Sequence, residues 1–189
     1  LTETRGRFRG PVRFWAQSMS GLPSIVAGLF IFAVFVSTGI SRPAGWLASS
    51  ALVLLMLPTV IRMSEEVLKL VPDDLRAASY AMGASQFATV FRIVLPTVRS
   101  GLVTASILGV ARVAGETAPL LLTMGGADAI NLNPFSGNSS ALPFYIWKNF
   151  SLGTETAVAR AWTGILVLMI LVLFFFSITR IVGNRKARS

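Results

Sequence analysis

Residues 161 to 179 read Ala-Trp-Thr-Gly-Ile-Leu-Val-Leu-Met-Ile-Leu-Val-Leu-Phe-Phe-Phe-Ser-Ile-Thr, and no ionisable side chain interrupts them. A helix needs about 20 predominantly apolar residues to cross the hydrocarbon core of a bilayer, and this run supplies them. Two more stretches share the property, since Phe14 to Ser41 and Pro43 to Ile61 hold no charge. A fourth, Ser100 to Ala127, is interrupted only by Arg112 and Glu116. Strands of a membrane barrel alternate apolar and polar residues in segments of about 10, whereas these runs are apolar throughout, so the pattern predicts helices. The expectation is an all-α polytopic membrane protein. Its four transmembrane helices fall at residues 19–40, 44–62, 97–124 and 157–181, with a loop over 63–96 and another over 125–156. A composition of 53% hydrophobic and 13% charged residues, with mean hydropathy +0.69, agrees with that class.

The formal charge of +9 suggests nucleic acid only if the chain is read as soluble. Alternating four spans collects Arg5, Arg7, Arg9, Arg13, Arg62, Lys69, Arg76, Arg92, Arg99, Arg180, Arg185, Lys186 and Arg188 on one side. The other side keeps Arg42, Lys148 and Arg160, a ratio of thirteen to three. Basic loops stay on the cytoplasmic face, so topology explains the charge and no nucleic-acid partner is expected. Cysteine and histidine are both absent. Their absence excludes disulfides, thiolate nucleophiles, zinc-thiolate sites, the Ser-His dyad and imidazole proton relays. An intramembrane enzyme therefore has little material to work with. The chain opens at Leu1 on a basic hydrophilic stretch with no initiator Met or signal-like segment, which leads us to expect the C-terminal part of a longer protein.

Between the second and third spans the composition changes. Glu65 to Pro96 mixes acidic, basic and apolar residues at helical spacing. Ser64 is expected to cap a short helix beginning at Glu65-Glu66, and Pro72-Asp73-Asp74 is a good first turn for a second helix. Leu75, Ala78, Ser79 and Met82 then fall on one face, Gly83 offers a left-handed end, and Ser85 can cap a third helix with the stripe Phe87, Val90, Phe91 and Val94. No phosphate-binding loop of the form G-x-x-x-x-G-K-[ST] occurs, so any ATP that drives this protein is bound by another chain. A compact helical turn between two membrane helices is a suitable device for receiving a push from that chain.

In the third span, Arg112 and Glu116 stand four residues apart, which on a continuous helix lets them pair. Charges at the middle of a bilayer cost about 2.5 to 3.5 kcal/mol each on insertion scales, and they face a protein interior or an aqueous path. The pair therefore marks either a substrate path or a static structural bridge. Thr117 adds a hydroxyl beside it. On the far side, Gly125 to Thr156 is rich in Gly, Asn, Ser and Pro, except for Leu142 to Phe150, whose Phe144, Tyr145 and Trp147 suit the membrane interface.

These segments carry a resemblance. Gly83 followed after nine residues by Ile93-Val94-Leu95-Pro96, and preceded by Arg76-Ala77-Ala78-Ser79, resembles the EAA loop of type-1 ABC importer permeases. Ala77 stands where that motif usually has its glutamate, a departure that touches a specific ion pair to the ATPase and not the docking itself. Ala111 to Leu121, reading Ala-Arg-Val-Ala-Gly-Glu-Thr-Ala-Pro-Leu-Leu, resembles the phosphate-specific importer permeases of the PstA type. So do Ser20 to Val26 and Leu57 to Arg62, and the likeness covers nearly the whole chain.

The resemblance implies a permease forming half of a two-permease pore in the bacterial inner membrane, with the loop and the C-terminus cytoplasmic and two further helices preceding Leu1. It implies an ATPase dimer carrying ATP and Mg, a second PstC-like permease, a periplasmic or tethered phosphate-binding protein, and surrounding lipid; no cofactor is bound by this chain. Coupling to the ATPase would fall on Glu65, Glu66, Arg76, Ala77, Ala78, Ser79, Gly83, Ile93, Leu95 and Pro96. Arg112 would meet the anion, with Glu116 limiting how tightly it is held and Thr117 nearby. An importer of sulfate or molybdate is the nearest alternative. A secondary transporter using the Arg112 and Glu116 pair is a more distant one.

Overall fold

The computed structural model describes residues 9–184 as a bundle of helices. Arg5, Arg7, Arg185, Lys186 and Arg188, counted toward the orientation, lie outside the described residues. Among the described residues, three helices are long and apolar enough to cross a membrane, or four if one bent pair forms a single span.

That bent pair corrects the first predicted span. Helix α1 covers Arg9–Ser20 and α2 covers Ser24–Ile31, continued by a π-helical turn over Phe32–Val36. The two axes meet at 108°, so the expected helix over 19–40 is broken. Gly21 and Pro23 lie in the break, and Pro23 supplies no backbone donor to continue the hydrogen-bond ladder. The segment from Ser24 to Val36 rises only about 20 Å at 1.5 Å per residue, less than a bilayer core.

Helix α3, Gly45–Lys69, is the second span. It runs seven residues beyond the expected end at 62, so Glu65 and Glu66 lie on its last turns and the short helix capped by Ser64 does not exist as a separate element. Pro58 is buried inside it. A short helix α4, Asp73–Ala81, follows Pro72 with both aspartates in its first turn. It closes as expected on Gly83 at φ 81°, a left-handed conformation that glycine adopts at no steric cost. Gly83 N–H donates to the Tyr80 carbonyl (2.9 Å) and Ala84 N–H to the Ser79 carbonyl (3.2 Å), the two bonds of a Schellman ending. Ser85 then caps α5, Gln86–Thr89, its hydroxyl accepting from Ala88 N–H at 3.2 Å. A π-helical turn over Val90–Val94 leads directly into α6, Leu95–Val113.

The third predicted span, 97–124, is also discontinuous. Helix α6 stops at Val113, residues 114–117 are non-helical, and α7 restarts at Ala118–Thr123 with Pro119 in its first turn. Helix α8, Leu142–Leu152, lies within the predicted loop and ends on Gly153 at φ 65°. Thr154 then caps the long last span α9, Glu155–Asn184, by accepting from Ala157 N–H. Phe150 meets Trp162 edge-on at 5.8 Å, folding α8 back along α9.

Helices α3 and α6 pack along their length, α6 against α9, and α7 between α2 and α3. One apolar cluster joins Ile31, Leu47 and Ala51 with Phe35, Trp46 and Leu54; a second joins Ala48, Leu120 and Phe144. Along α9, Trp162, Leu166, Ile170, Leu173 and Phe174 remain exposed, the surface expected of a helix whose neighbours are lipid or other spans.

Candidate functional site

Two places in this bundle bring together the residues singled out by sequence: the helical turn after α3, and the break between α6 and α7.

At the turn, Val71, Val94 and Val98 are buried together, backed by Val67, Leu68 and Leu102, so the two spans and the connecting turn share a small core of their own. No residue of α4 is buried. It is held instead by polar ties at both sides. Arg76 Nη2 donates to the Leu68 carbonyl at 3.1 Å and lies 3.9 Å from Asp73, which anchors α4 to the end of α3. Ser79 and Thr89 share a hydroxyl–hydroxyl hydrogen bond at 2.9 Å, with Thr89 fully buried, which anchors α4 to α5. Helix α4 is thus tied both to the end of α3 and to the helical arm that leads into α6.

These ties sort the ten coupling residues expected from sequence. Ala77, Ala78, Gly83 and Pro96 are exposed, and Glu66 is exposed while ion-paired to Lys69 at 2.7 Å. Ile93 and Leu95 are half-buried in the arm leading to α6. Glu65 is 9% exposed and lies 3.9 Å from Lys69 in the last turns of α3. Arg76 and Ser79 hold α4 in place. Sequence reasoning placed Met82, Phe87 and Phe91 on helical faces but not among the coupling residues, yet Met82 is 90% and Phe87 70% exposed, with the Phe91 ring 4.3 Å from that of Phe87. The Phe87 and Phe91 pair, one turn apart in a short connecting helix, was the available signal.

At the break, the expected ion pair is absent. No contact within 4.0 Å joins Arg112 and Glu116, because the helix ends at Val113 and Glu116 lies in the non-helical segment. Glu116 N–H instead donates to the Val113 carbonyl at 3.1 Å. Arg112, in the last turn of α6, is exposed and donates from Nη1 to the Thr59 hydroxyl of α3 at 3.1 Å. A cation at a helix C-terminus is favoured by the peptide dipoles. Glu116 and Thr117 are half-buried beside it. Thr59 was not anticipated, since a threonine 53 positions away gives no local signal.

At the far end of the spans, Ala44 N–H donates to the Thr123 carbonyl, Trp46 N–H to the Pro134 carbonyl and Ser139 N–H to the Met124 carbonyl, all within 3.0 Å. The loop is thereby seated on the start of α3. Asparagines give it shape: Asn131 Nδ2 donates to the carbonyls of Ser136 and Asn138, and Asn133 Oδ1 accepts from Phe135 N–H. Ile130, Leu132 and Phe135 project from it, 91%, 90% and 74% exposed.

The chain is similar over most of its length to curated proteins. It is 40% identical over 186 residues to phosphate transport system permease protein PstA 1 of Mycobacterium tuberculosis, covering 97% of this chain and 60% of that protein. It is 42% identical over 167 residues to PstA of Mycobacterium leprae, covering 88% and 55%, and 34% identical over 189 residues to PstA of Haemophilus influenzae, covering 95% and 63%. The chain thus spans somewhat under two thirds of the length of these relatives. The family described as binding-protein-dependent transport system inner membrane component matches residues 2–188. Helices of membrane-spanning length, a helical turn tied to two of them and a charged break at the end of a span accord with that match, and the chain belongs to this family of multi-pass membrane permeases.

Proposed function

We propose that this chain is the permease subunit of an ATP-driven importer of inorganic phosphate, forming half of the translocation path. The observation that carries the substrate reading is Arg112: a guanidinium in a broken membrane helix, neutralised by no carboxylate of its own segment and open on one side. A charge in that setting faces an aqueous path, and its chemistry suits an oxyanion. The names of the relatives support phosphate over sulfate or molybdate.

The exposed surface of α4, with Met82, Phe87 and Phe91, receives a partner ATPase that binds ATP and Mg. A second permease completes the pore, and a phosphate-binding protein delivers substrate to the end where the asparagine-shaped loop projects. The basic end, with Arg62, Lys69, Arg76, Arg92 and Arg99, lies in the cytoplasm and the opposite end outside the inner membrane. ATP binding and hydrolysis move α4, and the ties to Leu68 and Thr89 carry the motion into α3 and α6.

The test is uptake of radiolabelled phosphate by the full-length permease reconstituted with its partners, with sulfate as competitor. Arg112→Ala is expected to abolish phosphate uptake while the partner chains still co-purify. Normal uptake in that variant overturns the path reading, and equal competition by sulfate overturns the phosphate assignment.

A further inference from the structure

The hydroxyl of Thr59 stands out among those of the spans. Ser49, Ser50, Thr97, Ser106, Thr163 and Ser177 each donate to the carbonyl four residues back, the usual way a hydroxyl is satisfied inside a membrane helix. Thr59 makes a contact across the bundle instead, accepting from Arg112 Nη1 at 3.1 Å. The backbone around it is built for that approach. Gly109, three residues before Arg112, faces Val60 and Met56 of α3 so closely that a Cβ there would overlap Val60. Gly101 faces Val67 in the same way, with 2.6 Å between a Cβ placed there and Val67 Cγ1. The two spans are thus pressed together one turn below Arg112, and Pro58 beside Thr59 leaves α3 without one ladder bond at this level.

We propose that Thr59 is a positioning residue for Arg112. This rests on the reading of Arg112 as the anion contact and goes beyond it by assigning what aims the guanidinium. An arginine has five N–H donors in a rigid plane. Accepting one of them at a fixed point on α3 sets the plane of the guanidinium and leaves the remaining donors for an oxyanion. The cost of ordering a long, rotamer-rich side chain is then met before the substrate arrives. Because Thr59 and Arg112 lie on the two spans joined by the α4 turn, the bond also ties the aim of the arginine to the spacing of α3 and α6.

The test uses three variants in the full-length permease, assembled with its partners in proteoliposomes. Thr59→Val keeps shape and removes the acceptor; Thr59→Ser keeps the acceptor and removes a methyl. Phosphate uptake at saturating binding protein is expected to fall about tenfold in Thr59→Val, the size of effect that goes with losing a charge-assisted hydrogen bond, and to stay near wild type in Thr59→Ser. A packing role gives the reverse order or equal impairment, and either result overturns the proposal, as does normal uptake in Thr59→Val. If Thr59→Val does not assemble, Thr59→Ala replaces it, and normal uptake there is equally decisive against the proposal. Arg112→Ala separates the two readings. Loss of uptake in Arg112→Ala alongside normal uptake in Thr59→Val defeats the positioning role alone, whereas normal uptake in Arg112→Ala defeats the path reading beneath it.

Discussion

Arg76 reaches back from α4 to the Leu68 carbonyl at the end of α3, which also accepts from Val71 N–H at 3.4 Å. Its side chain is mostly covered, with Asp73 alongside, so the bond is shielded from competing water more than a surface pair would be. Hydrogen bonds to charged groups contribute about 1.5 to 3 kcal/mol, enough to matter to a nine-residue helix with no buried residue of its own. Arg76→Ala is therefore expected to raise amide exchange over Ala77 to Ala81 about tenfold while leaving the middle of α3 unchanged. Hydrogen-exchange mass spectrometry on the assembled complex checks this. Under the proposed function, a complex carrying the same variant should move less phosphate per ATP hydrolysed by its partner ATPase, since α4 would slip against α3. Lysine is a poor substitute, because a point charge on a flexible stem does not reproduce the forked geometry.

At the scale of elements, α2 and α7 meet through a close approach at Gly28. A Cβ at Gly28 would stand 2.6 Å from Pro119 Cα, which is backbone and cannot swing aside. Gly28→Val should push the helices apart at about 1 to 3 kcal/mol, the usual range for overpacking, and lower the thermal midpoint in detergent. Gly21→Ala is the control, since nothing lies within 4 Å of a Cβ there.

This pair also shows where sequence reading stopped. Apolar length marked the stretches that hold α3, α6 and α9, and capping chemistry located α4, its Schellman ending at Gly83 and the Ser85 cap. Continuity was not legible from hydropathy, because a broken helix in lipid is as apolar as an unbroken one. The breaks did leave local traces: Pro23 after Gly21, and Pro119 in the first turn of α7. Reading Arg112 and Glu116 as one helical turn apart presumed a ladder that Pro119 foretold would restart. Thr59 was beyond reach, because only the packing of α6 on α3 at Gly109 brings it to Arg112.

On the whole molecule, the exposed apolar side chains of α9 and those of the loop before α8 call for different accounts. Those of α9 run along a membrane-length helix and need no further account. Ile130, Leu132 and Phe135 do not lie on a span, because their loop is bonded through Pro134 to the first turn of α3 and so sits past the end of the hydrocarbon-crossing helices. Three nearly bare apolar side chains on a loop stiffened by asparagine bonds are a poor solution to solvation and a good one to recognition, since the ordering cost of a contact surface has already been met. Under the proposed orientation this tip faces the delivering binding protein. Replacing Leu132 and Phe135 together by serine is expected to raise the binding-protein concentration needed for half-maximal stimulation of ATP hydrolysis by about tenfold, as loss of interface anchors does. Unstimulated hydrolysis should stay the same, because the tip is remote from α4. Asn131→Ala should shift stimulation in the same direction by a smaller factor, through loss of loop order with the apolar side chains retained. Titration of binding protein against ATP hydrolysis in nanodiscs measures both. An unchanged curve for the double serine variant would assign the tip to another neighbour, with contact to the partner permease then tested by cross-linking from position 135.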